Sequence, residues 1–227
     1  MQWIHQYQLF LFDFDGLLVD TEILHFQAYI RMCAKRGYHL KWDFRRFSDA
    51  AHHQATGLRD NIYAEFPELQ AQEPVWSVLY EEKKTAFLEL VEEGKVMLMA
   101  GVAELLEALA QANIKRCVVT HSSLSFITRI RAQNPLLDSI PHWITRENYT
   151  EPKPHPECYR YAIAQLAQPQ DRVIGFEDSP RGLSALRETD ATPVLICPPD
   201  YPELHSLITH PVKYYPSFQA ITDANFP

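Results

Sequence analysis

No stretch of these 227 residues is long and apolar enough to span a bilayer. The longest apolar runs fall well short of the roughly 18 to 20 uninterrupted residues that a membrane helix needs. The start of the chain also lacks a basic segment leading into an apolar core and a small-residue cleavage site, so no secretory leader is expected and the cytoplasm is the expected compartment. Positive charge is scarce: 21 Lys and Arg stand against 29 Asp and Glu, a formal net charge of −8. That balance argues against the basic face that broad nucleic-acid binding needs. It leaves room for an anionic ligand, because a metal ion and a few local cations can reverse the sign inside a pocket. Cysteine is scarce too. Cys33, Cys117, Cys158 and Cys197 are far apart and form no C-x-x-C pair, so neither a disulfide framework nor a zinc site is indicated. The chain contains no internal repeat and no low-complexity tract.

What is present is a rhythm. Short apolar runs at Leu9–Phe12, Cys117–Thr120, Trp143–Thr145, Val173–Phe176 and Val194–Cys197 read as buried strands, each bounded by polar or turn residues. Helical patterns fall between them, at Val102–Ala112, Glu157–Leu166 (after Pro156, a residue suited to a first helical position) and Arg181–Thr189. Alternating strands and helices predict an α/β protein with a parallel sheet covered on both faces. Residues 21–94 break the rhythm. They hold helical stretches at His25–Lys35, Ala55–Ala64 and Val75–Val91 with no convincing strand, so an all-helical insertion is expected there, with residues 1–20 and 95–227 forming the core.

The residues capable of chemistry lie at or just after the predicted strand ends. Asp13 and Asp15 follow the first strand, Thr120 and Ser122 the second, Lys153 sits in the loop after the third, and Glu177 and Asp178 follow the fourth. In an open α/β sheet that is where ligands bind, so four loops distant in sequence can converge on one crevice. The residue types suit phosphoryl transfer. A phosphate monoester repels a nucleophile, and a hard divalent cation such as Mg²⁺, held by oxygen ligands, neutralises it. Asp13 and Asp178 are suited as ligands, with the Asp15 carbonyl as a third. Glu177 is a further metal candidate, or a charge favoured at a helix start. Asp13 can also attack phosphorus, and Asp15 can serve as acid and then base if its side chain points away from the metal. Lys153 supplies a positive charge, Thr120 a hydroxyl, and the backbone around His121 and Ser122 a cradle for phosphoryl oxygens.

Phe12-Asp13-Phe14-Asp15-Gly16-Leu17-Leu18-Val19-Asp20-Thr21-Glu22 closely resembles the first motif of the haloacid dehalogenase-like (HAD) superfamily. Val118-Val119-Thr120-His121-Ser122, Pro152-Lys153-Pro154 and Gly175-Phe176-Glu177-Asp178-Ser179-Pro180-Arg181-Gly182 resemble the second, third and fourth, in the right order. The resemblance implies a Rossmann-like core, an inserted helical cap of the type found with β-phosphoglucomutase and phosphoglycolate phosphatase, and a Mg²⁺-dependent phosphatase acting on a small phosphorylated metabolite such as a sugar phosphate. Asp15 sets the chain apart from true haloacid dehalogenases, which lack an acid there. A monomer with no nucleic-acid or membrane partner is expected. His25 stands where related capped enzymes often carry a histidine that contacts substrate, although a half-exposed helical histidine explains it equally. Arg45, Arg46, His52, His53 and Arg59 form a cationic cluster in the insertion that can line the pocket or simply be a solvated face. A phosphomutase similar to β-phosphoglucomutase is the alternative enzyme, although the segment Ser48–His53 lacks the arginine that would grip a distal phosphate. A non-catalytic phospho-ligand binder is the alternative of another class, which an acid/base at Asp15 argues against.

Overall fold

A computed structural model describes residues 1–52, 56–94, 96–201, 204–209 and 211–226. The chain divides into two compact units, Met1–Asp20 with Val96–Pro227, and Thr21–Lys95.

Among the described residues of the second unit every regular element is a helix: α1 (Glu22–Lys35), α2 (Phe44–His52), α3 (Gly57–Glu65), α4 (Pro67–Gln72) and α5 (Trp76–Glu93). Phe26, Tyr29, Met32 and Cys33 recur at helical spacing on α1 and face a core completed by Trp42, Phe47, Ile62 and Leu79. The outer faces of α1 and α5 are laced by ion pairs, Arg31–Glu93 at 2.7 Å and Lys35–Glu89 at 2.9 Å. Sequence reading missed α2 and α4. The first hides its apolar pair, Phe44 and Phe47, among charges, and the second is six residues long with Pro67 at its start.

The first unit is built on six strands: β1 (Leu9–Phe12), β2 (Lys115–Val119), β3 (His142–Ile144), β4 (Val173–Glu177), β5 (Thr192–Ile196) and β6 (Lys213–Tyr215). All neighbours pair parallel, in the Rossmann-like order β3-β2-β1-β4-β5-β6. The chain leaves β1 toward β2 and β3, then returns to the other side of β1 for β4. That reversal leaves a crevice beyond the carboxyl end of β1. Helices α6 (Val102–Gln111), α7 (Leu124–Gln133), α8 (Glu157–Leu166), α9 (Pro180–Arg187) and α10 (Leu204–Leu207) complete the unit.

Every residue of β1 is fully buried, because an interior parallel strand is covered on both faces. Leu9 and Leu11 pack with Cys117, Val119, Cys158, Tyr159 and Leu186. Phe10 and Phe12 belong to an aromatic layer, in which Phe12 stacks on Phe176 at 5.3 Å and Trp3 meets Phe10 and Phe226. Burying each such ring contributes about 1.5–3 kcal/mol, so the strand that carries the first motif is among the most firmly held elements. The edge strand β6 was not anticipated, since its residues Lys213, Tyr214 and Tyr215 open on a charge and form no apolar run. Nor was α7, whose buried Phe126, Ile127 and Ile130 are interspersed with polar and basic residues. All four cysteines are free and buried. Among the described residues no helix is long and apolar enough to cross a membrane.

Candidate active site

The sheet register builds the centre of the site. Phe12 lies opposite Val118 on one side and Phe176 on the other. One residue further, Val119, Asp13 and Glu177 fall in the same row across three strands, and the Asp13 N–H donates to the Phe176 carbonyl at 3.0 Å. Lys153 reaches all three members of that row. Its Nζ donates to Asp13 Oδ1 at 2.5 Å, Glu177 Oε1 at 2.7 Å and the Val119 carbonyl at 2.9 Å. Asp13, Lys153 and Glu177 are all buried. Charges removed from water are tolerated only when paired and hydrogen-bonded, which this arrangement satisfies.

Burial pushes the Asp13 carboxyl up to about 7, against the pull of Lys153 in the other direction, with Glu177 and Asp15 adding repulsion. Burial alone would lower the Lys153 ammonium, but Asp13 and Glu177 outweigh it and hold it well above the usual lysine range. Asp178 lies beside this pair. Asp13, Glu177 and Asp178 each offer an oxygen within 4.8 Å of the others, the one such acidic cluster found among the described residues. Three hard oxygen donors at that spacing fit a divalent cation.

Asp15 is not a member of that cluster and has hydroxyl partners of its own. Ser122 Oγ donates to Asp15 Oδ2 at 2.6 Å, and Thr120 Oγ1 lies 3.5 Å from the same oxygen. Thr120 itself accepts from the Ser122 N–H at 3.0 Å, so the loop after β2 presents both hydroxyls toward Asp15. The turn that follows needs Gly16, whose φ of 78° is in the left-handed region. At the end of β4, Ser179 caps α9, accepting from the Gly182 N–H at 3.1 Å. Gly182 is required by close approach: a Cβ there would overlap the Glu177 carboxylate. Arg181 donates to the Lys153 carbonyl at 2.6 Å and ties the third and fourth motif loops together.

The core candidates Asp13, Asp15, Thr120, Ser122, Lys153, Glu177 and Asp178 are therefore brought together in one unit. His121 is exposed, with Nδ1 3.0 Å from the Tyr149 hydroxyl. The remaining candidates lie in the helical unit. His25, on α1, stacks on Phe87 at 4.3 Å, and its Nδ1 is 2.6 Å from Nζ of the buried Lys83. An ammonium donating to Nδ1 leaves the imidazole proton on Nε2. Arg46 sits over Trp42 at 4.7 Å and pairs with Glu65 at 2.7 Å. Arg59 pairs with Asp60 at 2.8 Å, and Arg45 is exposed on α2. The backbone of His52 ends α2, and His53 lies outside the described residues.

Sequence reasoning missed Tyr159, Tyr149 and Lys83. Tyr159 is fully buried on α8, and its hydroxyl donates to Glu177 Oε1, the oxygen that also accepts from Lys153. The signal available was a hydroxyl on the apolar stripe formed by Cys158, Tyr159 and Ala162, since a buried Tyr O–H needs a partner. Lys83 similarly interrupts an apolar face of α5 and lies 5.2 Å from the rings of Tyr29 and Phe87.

The family model described as haloacid dehalogenase-like hydrolase matches residues 10–196. Protein CbbY of Cereibacter sphaeroides is 30% identical over 183 residues, covering 78% of each chain. A phosphorylated carbohydrates phosphatase of Thermotoga maritima is 27% identical over 183 residues, covering 78% of this chain and 79% of its own. The crystal structure of CbbY from Rhodobacter sphaeroides in complex with phosphate superposes with a TM-score of 0.76 at 24% identity, covering 94% of this chain and 95% of that one; that likeness bears on the fold.

Proposed function

We propose, because this chain belongs to the haloacid dehalogenase-like hydrolases, that it is a Mg²⁺-dependent phosphatase acting on a small phosphorylated sugar or similar metabolite through a phosphoaspartate on Asp13. The observation that carries this reading is the buried lysine bonded to Asp13 and Glu177, with Asp178 in the same acidic cluster. A structural role alone would not favour that concentration of charge, since apolar residues of similar volume are often at least as stabilising as a buried ion pair. The phosphorylated carbohydrates phosphatase among the relatives supports the substrate class.

The cation would be held by Asp13, Asp178 and the Asp15 carbonyl, with Glu177 alongside, and would supply neutralisation of phosphoryl charge. The remaining chemistry belongs to the chain. Lys153 occupies Asp13 Oδ1, and Oδ2 is the oxygen that attacks phosphorus. As the ester P–O bond breaks, the Asp15 carboxyl passes its proton to the leaving oxygen. The resulting Asp15 carboxylate takes a proton from water, whose oxygen attacks phosphorus, frees phosphate and restores Asp13. Ser122 and Thr120 orient Asp15 for both transfers. Lys153 holds the nucleophile and meets the phosphoryl charge. The helical unit, residues 21–94 in this reading, selects the substrate, with His25, Arg45, Arg46 and Arg59 the first positions to vary.

Release of phosphate from p-nitrophenyl phosphate and from a panel of sugar phosphates, with Mg²⁺ and with EDTA, tests this. Metal-dependent turnover, with preference for one sugar phosphate, is expected. No turnover on any of them in Mg²⁺ would overturn the reading.

A further inference from the structure

Lys153 has three strong acceptors and one task. Its ammonium is divided among Asp13, Glu177 and the Val119 carbonyl, yet phosphoryl transfer needs it directed at Asp13 and the incoming phosphate. Glu177 competes for the same cation. Its hold depends on how much charge Oε1 has left to offer, and Tyr159 donates its hydroxyl to that same oxygen. The Tyr159 ring also lies 4.9 Å from Lys153 Nζ, so the residue touches both members of the pair. A second donor on one carboxylate oxygen weakens that oxygen's attraction for the first, and in a buried setting the effect is not screened by water.

We infer that Tyr159 is a positioning residue: by hydrogen-bonding Glu177 it loosens the grip of Glu177 on Lys153 and leaves the ammonium aimed at Asp13. The inference rests on the phosphatase reading above. The bland alternative is that the hydroxyl merely satisfies itself in the core. The two differ in what its removal does. A core hydrogen bond lost without the ring lowers thermal stability and leaves turnover alone. A lost positioning bond lowers kcat with little change in KM, because the ground-state contacts to substrate remain.

The test is Tyr159→Phe, which keeps the ring, assayed with p-nitrophenyl phosphate and Mg²⁺ beside melting of the metal-free protein. Tyr215→Phe is the control, since the Tyr215 hydroxyl makes a comparable bond to the Asn225 carbonyl at 2.7 Å, away from Lys153. Expected for Tyr159→Phe are a kcat about tenfold lower, a KM within about twofold of wild type, and a melting temperature no lower than that of Tyr215→Phe, which retains wild-type kcat. A wild-type kcat in Tyr159→Phe overturns the inference while leaving the phosphatase reading intact. So does a raised KM at unchanged kcat, or a protein that no longer folds, either of which makes the hydroxyl something other than a guide for Lys153. Absence of turnover in wild type would remove the phosphatase reading itself, and this inference with it.

Discussion

Lys153 and Arg46 each meet a carboxylate at under 3 Å, in the core unit and the helical unit respectively. Their surroundings could hardly differ more. Lys153 is bonded to all three members of a sheet register row, and the Glu177 carboxylate it bridges to Asp13 has no solvent exposure at all. Arg46 lies on a helix surface with half its side chain in water. The first pair is costly to assemble and costly to break. The second is worth about 1 kcal/mol or less and is screened by salt. Burial of charge alone does not mark a site, since Lys83 is buried in the helical unit too; what sets Lys153 apart is that it is bonded to two buried carboxylates.

The contrast can be broken in a graded way. Asp13→Asn removes the attacking oxygen and is expected to lower turnover by at least about 10³-fold, read by steady-state hydrolysis of p-nitrophenyl phosphate. Asp15→Asn is expected to lower it by about 10²- to 10⁴-fold and to let phosphorylated protein accumulate, with Mg²⁺ affinity by calorimetry nearly unchanged. A large loss of metal affinity there would contradict the separation of the Asp15 carboxylate from the acidic cluster. Lys153→Met strands Asp13 and Glu177 together in the core and should cost about 3–5 kcal/mol in urea unfolding of the metal-free protein, whereas Arg46→Ala should cost no more than about 1 kcal/mol. Equal losses would erase the distinction between the two regions.

The finest test uses pH. With its carboxyl near 7, Asp13 is protonated in acid and must lose that proton to serve as a metal ligand. Mg²⁺ binding should therefore weaken about tenfold for each pH unit below 7 and level off above it, with release of a proton. A Mg²⁺ affinity flat between pH 5.5 and about 8 would remove Asp13 from the ligand set.

The same contrast explains what could be read from the sequence. Asp13, Lys153 and Asp178 were legible because each follows a recognisable apolar run or a distinctive loop, and parallel strands bring their carboxyl ends together whatever lies between. The first five strands, β1 to β5, were legible for the same reason, from Leu9–Phe12 outward. Arg45, Arg46 and Arg59 were only candidates, since helical periodicity says which face is wet and not what the wet face touches. Tyr159 was missed because its six-residue separation from Lys153 gives no periodic clue to their meeting. Its hydroxyl meets Glu177, which ends β4, a strand that no periodic pattern links to α8. Ser122 was visible as a loop hydroxyl, but its bond to Asp15 depends on how two loops pack.

In the proposed reaction Asp13 carries the phosphate between substrate and water. Acid-quenched protein taken during turnover of p-nitrophenyl phosphate with Mg²⁺, then digested and mapped by mass spectrometry, tests it directly. A phosphoryl group on Asp13, more abundant in Asp15→Asn and missing when Asp13 is replaced, is the predicted result. Full turnover in Asp13→Asn, or phosphate trapped on a different side chain, would contradict the account.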